Sequence, residues 1–313
     1  MVDWTDRIGR RIKLRDLHIL LAVAKSGSMG KAAAQLAISQ PVISKAISDL
    51  EHEVGVPLLD RGPQGVEPTA HGRALLKCGI AVFDDLRLGV KELEFLSDPA
   101  AGELRIGCTE AGATGFVPAV IDRLSRKFAR VTFHVLTADA AALTARELPE
   151  RNIELAIGAT PGHTPGTEIE TEVLFNDRQV VMAGAKSKWV RARNLTLGEL
   201  AHERWVLPPS DSIAGFHVAE AFRSCGLSPP VARVVSFSMP LAHHLLASGN
   251  YLSMQPVEMA RLAKHLPLKV LDVQFQGIPR SIAIMTIKNR SVSPLAQRFM
   301  ECAREMAKSL GTC

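Results

Sequence analysis

From Leu14 to Val54 apolar side chains recur at helical intervals. Leu14, Leu17, Leu21 and Ala24 fall on one face, and Ile43, Ala46, Ile47, Leu50 and Val54 on another. Three short helices sharing a small core are predicted. Ser28 stands where an N-cap is needed before Lys31, Ala32, Ala33 and Leu36, and Ser39 stands likewise before Gln40 and Pro41. Proline is tolerated there because first-turn amides have no intrahelical acceptor to lose. Only Ala37 and Ile38 separate the last two helices, which makes a sharp corner. The spacing is that of a helix-turn-helix, although a three-helix bundle that binds nothing has the same periodicity.

From Thr69 to about Leu96 the chain has no proline, and Leu75, Val82, Leu86, Val90 and Leu93 recur near coiled-coil spacing. This predicts one long amphipathic helix whose stripe needs a partner, either the protein's own body or the same helix of a second protomer. Ser97-Asp98-Pro99-Ala100-Ala101-Gly102 ends it and marks a domain boundary. Beyond lie strand-like runs at 104–108, 131–136, 153–157, 179–183, 205–207, 233–237, 251–254, 269–273 and 282–287, with helical segments between them. Such alternation predicts α/β architecture with mostly parallel sheets.

The polar positions add chemistry. Gln40, Ser44, Lys45 and Ser48 form a stripe opposite the apolar face of the third helix. Gln can bond an adenine edge, Lys reaches guanine or phosphate, and small hydroxyls allow close approach to a duplex groove. Asp60-Arg61-Gly62-Pro63-Gln64-Gly65-Val66 reads as a tight hairpin carrying a cation beside that groove, or as a plain surface turn. The chain's 313 residues allow two or three domains, and its net charge is only +5. Residues 1–77 carry eleven Lys or Arg against eight Asp or Glu, and the remainder twenty-six against twenty-four. Affinity for DNA would therefore come from local placement, helix N-termini and a second copy of the domain, not from a basic monomer. Arg7, Arg10, Arg11, Lys13 and Arg15 either reach phosphate or form a solvated arm. Five widely spaced cysteines (Cys78, Cys108, Cys225, Cys302 and Cys313) argue against a disulfide framework or zinc cluster and fit a reducing cytosol. The apolar run 19–24 is too short to span a membrane, and Asp3, Asp6 and Asp16 before it spoil a signal peptide, so no export is implied.

Several words of this segment together are specific: Gly27-Ser28, Ala32-Ala33, Leu36, Ser39-Gln40-Pro41-Val42-Ile43-Ser44, Leu50-Glu51, Leu58-Leu59-Asp60-Arg61 and Pro68-Thr69-Ala70-His71-Gly72. The chain resembles the LysR-type transcriptional regulators, departing only in having Leu20 and Leu59 where that family usually has Phe. The resemblance implies a fold made of an N-terminal all-α winged helix-turn-helix (1–68), a linker helix (69–97) and a C-terminal α/β effector domain (98–313). That domain would be periplasmic-binding-protein-like, with two sub-domains (about 103–160 with 266–313, and about 161–265) joined by crossings near 160 and 265. It further implies that Gln40, Pro41, Ser44 and Lys45 face the major groove and that Ser39, Arg61 and Thr69 lie near phosphates, with Ser28 and Lys31 on the same surface. The implied partners are double-stranded promoter or operator DNA, a small-molecule effector, RNA polymerase, and further copies of the chain. The copies would form a dimer through the linker helix and then a tetramer, in the cytoplasm, with no membrane partner and no cofactor. The wording is most similar to the branch that includes protocatechuate-pathway and sugar-uptake regulators, so the implied effector is an organic or aromatic acid, with a neutral sugar left open.

In such α/β folds the ligand sits at strand C-termini and helix N-termini. This nominates 109–114 after the first strand, with Thr109, Gly112 and Thr114, then 210–212, with Ser210 and Ser212, and 236–238, with Ser236 and Ser238, and Phe216 in the same pocket. Each hydroxyl equally suits an ordinary N-cap. The alternatives are an α/β enzyme, or a solute-binding receptor, with a helical N-terminal interaction domain. Against an enzyme, there is no Gly-x-Ser-x-Gly elbow, His-Glu-x-x-His or Walker loop, and Gly107, Gly112 and Gly115 are wrongly spaced for a dinucleotide fingerprint. Adjacent His243 and His244 diverge on a helix and cannot share a metal, while Glu110 is the one candidate general base.

Overall fold

A computed structural model describes residues 11–62, 65–160, 168–257, 266–275, 277 and 279–310. Pro63 and Gln64 of the hairpin, Arg7 and Arg10, and Cys313 lie outside these. The chain divides into two compact units, residues 1–90 and 91–313.

The first unit is built from α1 (Leu14–Ser26), α2 (Met29–Leu36), α3 (Gln40–Val54), the antiparallel hairpin β1 (Leu59–Gly62) and β2 (Gly65–Pro68), and most of α4 (Ala70–Ser97). Ile43, Ile47 and Leu50 of α3 are fully buried against Leu20, Val23, Ala32 and Leu58. On α1 the deeper face is Ile19, Leu20 and Val23, not the Leu14 face; Leu14 is 45% exposed. Leu17 and Leu21 instead approach Gly79 of α4, so α1 is apolar on two sides and packs two ways. The helices stop in left-handed caps at Gly27, Ala37 and Gly55. Glu51 accepts from the amides of Leu58 and Leu59 at 2.7 and 3.1 Å, tying α3 to the hairpin. Gly65, at φ 128°, lets β2 close on the α1–α2 corner, where the Val66 amide donates to the Gly27 carbonyl at 2.9 Å. Gly72 is needed for proximity: a Cβ there would sit 2.0 Å from the Leu58 carbonyl oxygen.

The second unit holds two five-stranded sheets. In chain order its elements are β3 (Ala101–Cys108), α5 (Glu110–Thr114), α6 (Phe116–Ser125), β4 (Arg130–Thr137), the short α7 (Ala140–Ala142), β5 (Leu155–Ala159) and β6 (Ile169–Asp177). After these come β7 (Gln179–Gly184), β8 (Leu195–Thr196), α8 (Leu197–Leu200), β9 (Trp205–Leu207), α9 (Ile213–Arg223), β10 (Val234–Val235), α10 (Met239–Ala247) and β11 (Leu252–Pro256). The chain closes with β12 (Leu268–Val270), β13 (Val273–Gln274), β14 (Arg280–Ile287) and a C-terminal helix, Pro294–Leu310. Sheet I runs β4-β3-β5-β14-β6 and sheet II runs β10-β9-β11-β7-β12. Each has two parallel and two antiparallel pairings, so the sheets are mixed where mostly parallel ones are expected from the alternation. β5 and β11 are buried along their whole lengths, as strands covered on both faces must be.

The crossings also differ from the expected ones near 160 and 265. β6 lies beside β14 in sheet I, and β12 lies in sheet II, so the chain passes between sheets at Arg178 and between Gln274 and Arg280. The β5–β6 connection, which runs partly outside the described residues, starts and ends in sheet I. Around sheet I, Phe116, Val120 and Leu124 of α6 and Phe299 of the C-terminal helix complete a core. Around sheet II, Trp205 meets Phe222 edge-on at 5.6 Å and donates from its indole to the Leu200 carbonyl at 2.9 Å.

Candidate functional site

Ser28 and Ser39 both cap helices, but differently. The Ser28 hydroxyl accepts from the Lys31 amide, whereas the Ser39 side chain makes no bond to its own helix and remains available. Gln40, Pro41, Lys45 and Ser48 are exposed and Ser44 is half-buried, with Lys45 and Ser48 turned away from the buried Ile43, Ile47 and Leu50 and Gln40 and Ser44 at the edge of that buried face. Both the Ser28 hydroxyl and the Gln40 amide oxygen lie within 4 Å of where a Gly30 Cβ would be, so the starts of α2 and α3 share one surface. Lys31 is exposed beside them. Arg61 is exposed on β1, in register with Val66. Thr69 is occupied: its hydroxyl donates to the Pro57 carbonyl at 2.8 Å and accepts from the Gly72 amide at 2.9 Å, capping α4. The surface offers a cation, an amide and hydroxyls within one helix turn of two helix N-termini, a composition suited to phosphates and base edges.

The second candidate is a cavity of about 610 Å³ between sheets I and II. Of the nominated residues, Thr109, Ser212 and Ser236 line it, and the Thr109 and Ser212 hydroxyls also cap helices, through the Gly112 and Gly215 amides. Gly112 lines a much smaller adjoining cavity with Thr109 and Arg280. Thr114, Ser210, Phe216 and Ser238 are not part of the lining. Thr114 bonds back to the Glu110 carbonyl and Ser238 caps α10 through the Leu241 amide. Phe216 is 50% exposed because Ala214 and Val218, each two residues away and so roughly opposite on α9, face the cavity instead. Glu110 does line the cavity. Of the histidine pair, His243 is buried and His244 exposed.

Other lining residues carry no local sequence signal: Gln179, Ser253 and Arg280. Arg280 opens β14 and is only 6% exposed. Its Nη2 is 3.9 Å from the Asp177 carboxylate, too far for a hydrogen bond, and its Nε has no partner. Burial pushes this guanidinium below its ordinary value, and Asp177 restores it only in part. The Gln179 Oε1 is likewise buried without a partner. Burial, and next the charge of Arg280, hold His217 below the ordinary imidazole value. Ser253 heads a polar chain into the interior: its hydroxyl accepts from Gln255 Nε2 at 3.4 Å, and Gln255 Oε1 meets His243 Nε2 at 3.1 Å. That leaves the Ser253 proton free to donate into the cavity. Cys108, at the end of β3 in the core of sheet I, is raised to about 11 by burial and is no nucleophile at neutral pH.

Among the described residues no helix is long and apolar enough to cross a membrane. Residues 14–73 match the model of bacterial regulatory helix-turn-helix proteins of the lysR family, and residues 97–308 match the LysR substrate binding domain. The chain is 28% identical to the HTH-type transcriptional regulator GbpR of Azospirillum brasilense, over 94% of this chain and 86% of that one. It is 26% identical to the uncharacterised HTH-type regulator YdcI of Escherichia coli K12, over 95% and 96%. In fold it is similar to full-length OxyR from Pseudomonas aeruginosa (TM-score 0.65, 19% identity, 94% and 95% covered) and to full-length CbnR complexed with its target DNA (TM-score 0.55, 22% identity, 95% and 100% covered).

Proposed function

The chain belongs to the LysR family of bacterial helix-turn-helix transcriptional regulators, and on that premise we propose that α3 reads operator DNA while the cavity between sheets I and II receives the controlling metabolite. The observation that carries this is the two-sidedness of α3. Ile43, Ile47 and Leu50 are fully enclosed, while Gln40, Lys45 and Ser48 stand in solvent and the Ser39 hydroxyl is unspent. Such a helix is held rigidly from behind and offers donors and acceptors in front, as a groove requires. Arg61 supplies phosphate contact from the hairpin. The role of Thr69 is to hold that hairpin to α4, which places the phosphate contacts without making one itself.

Two copies of the chain pair through α4. Val82, Leu86, Val90, Leu93 and Leu96 are all exposed, the last by 71%. That stripe supports a symmetric helix pair, since a matching stripe on a second copy buries both. The effector is an organic acid, and the protein acts in the cytoplasm as a regulator, not an enzyme. The test is a gel shift with operator fragments, with and without candidate acids. Loss of DNA binding on replacing Gln40 and Lys45 together, with acid binding kept, supports this function; loss of both activities sinks it.

A further inference from the structure

The floor of the cavity holds two polar groups that the protein leaves unfinished. Arg280 Nε has no acceptor, and Gln179 Oε1 has no donor, though both side chains are more than nine-tenths buried. Native interiors rarely leave such groups unmatched, and a buried guanidinium with one distant carboxylate is under-neutralised. Asp177 does not close the gap: its Oδ2 stands 3.9 Å from the guanidinium, beyond hydrogen-bonding distance, and its Oδ1 accepts from the Arg178 amide at 2.7 Å. The two orphans are neighbours: Arg280 is in register with Asp177, and Gln179 follows two residues later. The rest of the lining is largely apolar, with Val206, Leu207, Ile213 and Met254, and it includes three acids, Glu110, Asp139 and Asp211.

Resting on the assignment of this cavity as the effector site, we propose that Arg280 anchors the effector's carboxylate and Gln179 accepts a hydrogen bond from a hydroxyl or amino group beside it. The effector is then a small 2-hydroxy or 2-amino monocarboxylic acid with an apolar body. A second carboxylate would meet the three acids and be repelled. A neutral polyol would leave the guanidinium as it is.

Calorimetric titration of the full-length protein, without DNA, decides the matter with matched probes: mandelate, phenylglycine, phenylacetate, phenylmalonate and mandelamide, then 2-hydroxyisocaproate and leucine for an aliphatic body. Mandelate or phenylglycine, or their aliphatic counterparts, should bind, and which of the two wins tells hydroxyl from amine. Removing the donor, as in phenylacetate, should weaken binding about tenfold. The amide and the diacid should give no heat. Replacing the buried pair together, Asp177→Asn with Arg280→Met, should leave the melting temperature of the unliganded protein at or above wild type and weaken acid binding about 30-fold or more. Gln179→Met, a milder change, should erase the preference for mandelate over phenylacetate. The proposal is overturned if the amide binds like the acid, if no monoacid binds at millimolar concentration, or if these variants bind as wild type. Failure of wild-type protein to bind any operator would strike the regulator function alone.

Discussion

Gly72 shows how a single absent methyl sets the geometry of the DNA-reading unit. With its position 2.0 Å from the Leu58 carbonyl oxygen, any side chain forces the hairpin away from α4. Gly72→Ala should therefore cost about 1–3 kcal/mol, seen as a lowered melting temperature of the full-length protein. Gln40→Ala with Lys45→Ala touches nothing in the core and should instead lower operator affinity by at least about a hundredfold at unchanged melting temperature, since each base contact contributes roughly 1–3 kcal/mol. His217 makes a pH prediction. Its folded pKa lies below the ordinary value of 6.5, so below that pH the unfolded chain takes up a proton that the folded one refuses. Stability should fall as pH drops from 6.5, and His217→Gln should flatten that slope in a melting-temperature series.

At the scale of elements, the fate of the α4 stripe is the sharpest test. Leu86→Glu with Leu93→Glu should shift the protein toward monomer in analytical ultracentrifugation while leaving the fold intact, because both side chains are already exposed within the single chain. The sequence shows α4 and α3 plainly, since each keeps an apolar face over several turns. It hides β6, an edge strand whose outward Glu170 and Glu172 dilute the apolar alternation. Missing β6 displaces the expected crossing from Arg178 to near 160. The edge is fastened instead by a bidentate pair, Glu172 with Arg304 at 2.7 and 2.8 Å. That pairing holds Glu172 below the ordinary carboxylate value of 4.5, so its contribution is complete above 4.5 and fades as pH falls below it. Glu172→Gln should remove this acid sensitivity. Of the hydroxyls nominated for the cavity, those of Thr109, Ser212 and Ser236 belong to its lining, while Arg280 and Gln179, isolated in sequence, come to one cavity only through the crossing strands.

For the whole molecule, the near balance of charge has a measurable result. A chain of net charge +5 binds DNA through placed contacts, so affinity should fall steeply with salt, and Arg61→Ala should reduce the log–log slope by about one per protomer at every sequence tested. Gln179 and Arg280, each beginning the strand that follows a passage between sheets I and II, both line the cavity. If the two sheets turn about these passages, a compound held there grips the pivot, and the parts of it that reach outward between the sheets carry the leverage. On the proposed binding mode, the head of such a compound would fix its place while its tail would set the sense of the response. Two acids with the same head and unlike tails would then compete for one site, one acting as agonist and the other as antagonist.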